Sequence, residues 1–333
     1  ERMQLFALGM FASLTAAALW LHFASALGLP VSTTHSIVGA IFGFGLIFGG
    51  ADAIAWGKMA EIVSSWILSP ILGGIISLLL FIMVRRLILE SASPLEHTRK
   101  ISPFLVGIVF VILSLSFLYK GLKNLHLDLP LGTALTVAGS IGLGAGTIMY
   151  LMLGRNSRAA EQDELTRTEG TFRILQVITA CYVAFAHGAN DVANAVGPLA
   201  AVNGVFTKGA IMSKVPVPTW ILLMGGAGIV LGLAMYGRNV ITTIGKNITE
   251  MTPSRGFCAE FGAATTVLVC SKLGLPISTT HTLVGAVIGV GLARGIATLD
   301  FRVIRNVIAS WFITIPATAV VAVIIFLIGK LVL

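Results

Sequence analysis

Apolar residues run along the chain in long blocks, without the strict alternation of strands. Ten blocks stand out, at 5–27, 31–50, 58–89, 102–119, 130–153, 172–200, 218–237, 256–273, 277–293 and 302–332. A helix of about 20 apolar residues crosses a bilayer, so the pattern predicts an all-α, polytopic helical membrane protein. Two polar stretches interrupt it, at 90–101 and 154–171. The second is the longest soluble piece and marks the predicted boundary between two halves.

An internal repeat is the strongest feature. The segment at 28–46, which opens Gly-Leu-Pro-Val-Ser-Thr-Thr-His, returns almost unchanged at 274–292. Ser65-Trp66 with Pro70 likewise parallels Ser310-Trp311 with Pro316. The matching blocks 58–89 and 302–332 are seven steps apart in the order of blocks. That odd number inverts the halves if every block spans. If each Ser-Thr-Thr-His block is the tip of a re-entrant hairpin, five crossings separate the pair, and the halves are still inverted. The reading is therefore inverted-topology repeats with two re-entrant helical hairpins, an arrangement typical of transporters with a midplane site. The predicted division is 1–89 for the first repeat, 90–171 for connecting helices and a cytoplasmic linker, and 172–333 for the second inverted repeat.

Composition narrows the class. Of 333 residues, 56% are hydrophobic and 11% charged, against roughly 25% charged in a soluble domain. Mean hydropathy is +0.95. A soluble enzyme and a disordered chain are both excluded. The net charge of +8 would point to nucleic acid in a soluble protein, but here it fits basic cytoplasmic loops, and no nucleic acid partner is expected. Arg85, Arg86, Arg99, Lys100, Arg155, Arg158, Arg167 and Arg173 flank the two polar stretches, while the loop around 120–129 carries only Lys120 and Lys123. Both arginine-rich loops are assigned to the cytoplasm. Cys181, Cys258 and Cys270 have no metal-like spacing and read as small packing residues. His22 reads as a satisfied core histidine. Glu61 and Asp52 read as interfacial.

Two motifs carry chemistry. In each Ser-Thr-Thr-His block, Gly and Pro break a helix and Ser or Thr caps the next. The N–H groups and positive dipole end of the new helix then face the tip, which is a ready anion site. Capping alone does not require the same tetrad twice. The second motif, His187-Gly188-Ala189-Asn190-Asp191-Val192-Ala193-Asn194, lies inside an apolar block. A carboxylate there is costly and marks a functional site. Asn190, Asp191 and Asn194 offer the oxygen ligands that suit a hard cation, and Gly188 is expected to let the backbone unwind and expose carbonyls. An anion beside Asp191 would be repelled unless Na+ or a proton lay between them, which couples a cation gradient to the anion. No Lys or Arg lies in the tips, and Lys272 is the nearest. Glu260 is either a proton or cation ligand or an interfacial acid. His35, His281 and His187 are coupling or gating candidates. Gly39 with Gly43, and Gly285 with Gly289, suit close helix packing.

At these residues the chain resembles the inorganic phosphate transporter (PiT) family. The resemblance rests on 185–198, on both Gly-Leu-Pro-[Val/Ile]-Ser-Thr-Thr-His blocks and on Ala309-Ser310-Trp311 with its repeat partner. It implies inverted repeats, hairpin tips that hold phosphate, and symport with Na+ or protons. It places phosphate contacts on Ser32, Thr33, Thr34, Ser278, Thr279, Thr280, Asn190 and Asp191, and Na+ on Asn190, Asp191 and Asn194. It implies a glutamate role at Glu260, a homodimer, and residence in the lipid bilayer of the plasma (inner) membrane. No cofactor beyond Na+ as coupling ion is implied, and no enzyme activity. Sulfate permease and proton-coupled phosphate symporter remain alternatives. The family carries an Asn-Asp-Val-Ala-Asn block in each half. The 91 positions from Asn190 to His281, counted back from His35, fall upstream of residue 1, so the start of the first repeat is expected to be missing from this chain.

Overall fold

The computed structural model describes residues 2–118, 129–155, 163–211, 215–275 and 277–332. Lys120, Lys123, Arg158 and Pro276 lie outside the described residues, as does the side chain of Arg155. Among the described residues there are ten α-helices and no strands. In chain order they are α1 (Arg2–Ala26), α2 (Thr33–Gly49), α3 (Trp56–Val84), α4 (Pro94–Ser116), α5 (Leu131–Arg155), α6 (Glu164–Lys208), α7 (Thr219–Thr242), α8 (Pro253–Lys272), α9 (Thr279–Leu292) and α10 (Phe301–Lys330). Each apolar block became one helix. Seven helices, α1, α3 to α7 and α10, are long and apolar enough to cross a membrane. By contrast α2 has 17 residues and α9 has 14. At 1.5 Å per residue they reach about 26 and about 21 Å, short of a hydrocarbon core of about 30 Å.

The polar stretches are shorter as loops than their composition predicted. Helix α4 begins inside 90–101, because Pro94 sits in its first turn, where a missing N–H costs nothing, and Lys100 pairs with Glu96 at 2.6 Å one turn away. Helix α6 begins at Glu164, so the boundary expected at 171/172 falls inside a helix. Its polar first turns are used. The Glu169 carboxylate accepts from the Ser254 backbone N–H at 2.9 Å and from its hydroxyl at 2.6 Å, which satisfies free donors at the start of α8.

The repeat is visible at atomic level. Gly28 and Gly274 take φ of 71° and 74°, a left-handed turn that glycine adopts freely. Gly28 N–H bonds Ser25 O and Leu29 N–H bonds Ala24 O, at 3.0 and 2.9 Å. Gly274 and Leu275 do the same to Ser271 and Cys270, at 3.2 and 3.0 Å. Ser32 and Ser278 then cap α2 and α9, each accepting from the histidine N–H three residues on at 3.2 Å. Two helical hairpins result, α1–α2 and α8–α9.

The hairpins enter from opposite ends of the molecule. At one end, Arg85 donates to Ala293 O at the close of α9, at 2.7 Å, and Arg255 and Arg294 flank Glu250. The ends of α3 and α9 and the starts of α4, α6 and α8 meet there. Arg86 lies just after α3, Arg99, Lys100 and Arg167 lie within two turns of the starts of α4 and α6, and Arg173 within three. At the other end the start of α1 meets the close of α10, where Leu8 packs on Gly329, and Phe44 of α2 packs on Phe326 at 5.1 Å. Helices α3 and α10 therefore run in opposite directions, and the hairpin tips meet between the two ends.

Each hairpin packs with the long helix of the other repeat. Helix α2 lies along α10, with α1 against both, while α9 lies along α3, with α8 against both. The glycine pairs permit this. A methyl group at Gly43 would sit 2.6 Å from Ala319 O, one at Gly39 2.8 Å from Ile315 O, and ones at Gly285 and Gly289 would collide with the carbonyls of Pro70 and Gly74. Small residues let helices approach in lipid, where apolar burial gives no drive. Cys258 and Cys270 are buried packing residues, as expected, but Cys181 is exposed on α6. His22 is not a core residue. It is exposed, and its ring meets Tyr236 of α7 edge-on at 4.8 Å. Glu61, paired with Lys58 at 2.5 Å, and Asp52 are exposed.

Candidate functional site

Three elements converge where the tips meet. Helices α2 and α9 begin there, and the middle of α6 passes alongside. The serine caps satisfy the third N–H of each short helix. The first N–H groups, which helical bonding cannot use, remain at the tip. Ser36 and Thr282 hydroxyls return to the carbonyls of Ser32 and Ser278, both at 2.8 Å, so the two tips share one internal geometry. They touch directly: the Thr34 hydroxyl donates to Ile277 O at 3.3 Å.

Helix α6 presents the polar set. The Asn194 amide donates to the Thr33 and Thr34 hydroxyls at 3.3 and 3.1 Å. The Thr279 hydroxyl faces both oxygens of the Asp191 carboxylate, at 3.2 and 3.1 Å. The Asn190 amide donates to Asp191 Oδ1 at 3.0 Å. Asn190, Asp191 and Thr279 therefore form one hydrogen-bonded set, and Asn194, Thr33 and Thr34 a second set beside it on the same face of α6. Thr280 follows Thr279 in the first turn of α9 and is half-buried.

The expected unwinding at Gly188 does not occur. Helix α6 is continuous from Glu164 to Lys208, so its carbonyls stay in helical bonds except where Pro198, which has no N–H, leaves the Asn194 carbonyl without its helical donor; the other ligands must come from side chains. The continuity explains the motif another way. His187, Asn190, Asp191 and Asn194 stand at i, i+3, i+4 and i+7, which is one helix face. That spacing was visible in the sequence.

Glu260 is not at the tips. It is half-buried on α8 and accepts from the Thr179 hydroxyl of α6 at 2.6 Å. Thr179 precedes Asp191 by 12 residues on one helix, about 18 Å. The partner at Thr179 carries no sequence signal, because a threonine in an apolar helix is ordinary. His35 and His281 lie just inside the tips, buried, with ring centroids 4.3 Å apart. Lys272 is exposed in the last turn of α8. Among the described residues, the side chains that hydrogen-bond across the tips are hydroxyl, amide and carboxylate groups, and the formal charge among them is Asp191. This set fits an oxyanion through the hydroxyls and N–H groups, and a hard cation through the carboxylate and amide oxygens. Among the described residues no group of three or more His, Cys, Asp and Glu forms a metal-binding cluster.

Residues 2–322 match the Phosphate transporter family. The chain belongs to this family. Within it, the chain is 47% identical over 322 residues to a protein of Pyrococcus abyssi named as a phosphate permease, covering 96% of this chain and 77% of that one. It is 43% identical over 346 residues to the inorganic phosphate transporter 2-1, chloroplastic, of Arabidopsis thaliana, covering 97% of this chain and 58% of that one. A solved structure described as the sodium-dependent phosphate transporter superposes with a TM-score of 0.91 at 38% identity, covering 99% of this chain and 81% of that one. This member of the phosphate transporter family is an integral membrane protein and not an enzyme.

Proposed function

We propose that the chain imports inorganic phosphate across the plasma (inner) membrane by symport with Na+. The carrying observation is the convergence of two helix N-termini, the hydroxyls of Thr33, Thr34 and Thr279, and the Asp191 carboxylate at one place. Phosphate is held between the tips by Ser32, Thr33, Thr34, Ser278, Thr279 and Thr280 and the free N–H groups, with Asn190 and Asp191 beside it. No arginine clamps it, so release is not opposed by a bidentate ion pair. In this reading the hairpins are re-entrant, the repeats have inverted topology in the bilayer, and residues 1–89 and 172–333 are the two repeats joined by 90–171.

Electrostatics supplies the coupling. Two unit charges of the same sign 4 Å apart repel by about 4 kcal/mol at an effective dielectric of about 20. That is about a thousandfold in affinity. A cation held by Asp191, Asn190 and Asn194 removes the repulsion and adds attraction, so phosphate binds well only with its cation. Phosphate that keeps a proton can also donate a hydrogen bond to the Asp191 carboxylate, which sulfate, fully ionised at neutral pH, cannot do. The name of the superposing transporter supports Na+ as that cation. The apolar faces of α5 and α7, with Leu143, Leu151, Leu223 and Val230 exposed, are available to lipid and to a second copy in a homodimer.

Labelled phosphate uptake into sealed liposomes tests the proposal, with an inward Na+ gradient, then a proton gradient without Na+, and with sulfate as competitor. Uptake driven by Na+ and indifferent to sulfate is expected. Uptake driven only by protons would replace the coupling ion, and inhibition by equimolar sulfate would remove the phosphate assignment.

A further inference from the structure

Behind the tips, four aromatic rings form a column through the interior. The Trp66 and His35 centroids are 3.7 Å apart, His35 and His281 are 4.3 Å apart at 76°, and His281 and Trp311 are stacked at 3.6 Å and 20°. The packing described above divides the helices into two bodies, α1–α2–α10 and α3–α8–α9. Trp66 is on α3, His35 on α2, His281 on α9 and Trp311 on α10. The rings therefore alternate between the bodies, and every ring contact in the column crosses their boundary. Both histidines are 2% exposed, and among the described residues no side chain pairs with their ring nitrogens. The backbone of Trp66 comes within reach of the His281 ring. A neutral imidazole carries one donor and one acceptor, and a buried polar group left unpaired is costly. Phenylalanine would fill the same space without that cost. Buried unpaired groups in a native structure call for a reason, and a second arrangement in which they are paired supplies one.

We propose that His35 and His281, backed by Trp66 and Trp311, are positioning residues for the tips and form the barrier to free passage. The inference rests on the phosphate-site reading above. The closed column holds the two bodies in register, with Thr33, Thr34 and Thr279 apposed. His35 and His281 are in the same first helical turn as those threonines, so a ring that shifts carries its tip with it. During transport the column parts between His35 and His281. The freed ring nitrogens then bond water along the opened path, which lowers the free energy of the open state relative to an all-carbon column. Trp311 also fixes the first tip from outside, since its indole N–H donates to Pro30 O at 3.1 Å.

The test combines labelled phosphate binding to the purified protein with uptake and leak in liposomes. The pair His35→Ala/His281→Ala is expected to leak phosphate without a cation gradient at least about tenfold faster than the parent and to bind phosphate more weakly, because the tips lose their register. The pair His35→Phe/His281→Phe restores the rings without nitrogens. It should stay as tight as the parent but turn over about tenfold more slowly, with KM within about threefold. Parental tightness and rate in the alanine pair, or a parental rate in the phenylalanine pair, would overturn the proposal. Loss of phosphate binding in the phenylalanine pair would overturn it too, by making the rings ligands. If the parent itself binds no phosphate, the site reading falls instead, and the binding assay separates the two failures. Should the alanine pair not fold, His35→Cys/His281→Cys in a background without Cys181, Cys258 and Cys270 gives a second route. Bridging the two thiols with Hg2+ should arrest uptake reversibly, and unchanged uptake after complete bridging sinks the barrier.

Discussion

The two hairpin tips carry the same residues and the same caps, yet they meet different chemistry. At the first tip, Thr33 and Thr34 accept from the neutral Asn194 amide. At the second, Thr279 is aimed at a carboxylate. The difference arises because one helix, α6, serves both tips and its stripe is not symmetric: Asp191 lies on one side of it and Asn194 on the other. A repeat in sequence therefore yields two inequivalent half-sites, one neutral and one charged. A bond to a charged group is worth about 1.5–3 kcal/mol and a neutral one about 0.5–1.5, so the second tip should dominate both binding and coupling.

The comparison breaks most sharply at its charged member. Asp191→Asn keeps shape and hydrogen bonding but removes the charge that holds the cation. Na+-driven uptake should fall to background, and normal Na+-dependent uptake in that variant would remove Asp191 from the cation site. Next come the matched hydroxyl deletions. Thr279→Val should weaken phosphate binding about tenfold and Thr33→Val about threefold, read by isothermal titration at fixed Na+. Equal losses would mean that the bound state restores the symmetry of the tips. If neither variant changes affinity, the motif is only a pair of caps.

Packing around the tips gives a smaller effect, measured as stability. Gly285→Ala puts a methyl against Pro70 O, and overpacking of this kind costs about 1–3 kcal/mol. A lower melting temperature is expected, whereas Gly226→Ala, with open space at the same position, should leave it unchanged. The smallest effect is expected from Lys272→Ala. Its side chain is exposed in the last turn of α8, on the rim of the tip rather than among the converging hydroxyls, and phosphate KM should stay within about twofold. If this variant weakens binding more than Thr279→Val does, the helix N-termini are not the main source of anion attraction.

Much of this was legible from the chain, and for a physical reason. In a bilayer, apolar length sets which segments become helices, and each of the ten blocks is one. Gly28 and Gly274 with their following prolines break helices wherever they stand, and Ser32 and Ser278 cap whatever helix follows. Those are local effects, and a repeat of residues repeats them. The stripe from His187 to Asn194 was also legible, once the segment is taken as an unbroken helix and not as an unwound one. The polar starts of α4 and α6 were misread as loop because composition alone does not show that Pro94 opens a helix or that Glu169 reaches Ser254.

What only the tertiary structure decided is which surfaces face one another. Sequence similarity pairs α2 with α9 and α3 with α10, but packing crosses them, α2 onto α10 and α9 onto α3, because the glycine faces fit the opposite repeat. Nothing in the local pattern assigns Asn194 to one tip and Asp191 to the other, or stacks His281 on Trp311. Those contacts join residues 30 to 161 positions apart in the chain, and depend on a turn of α6 whose rotation is fixed by its long contact with α8. The chain determined its helices, their breaks and the groups they carry, since these follow from local backbone chemistry and from the length needed to span lipid. The fold determined that two identical tips become a neutral and a charged half of one site, since that depends on distance and direction in space.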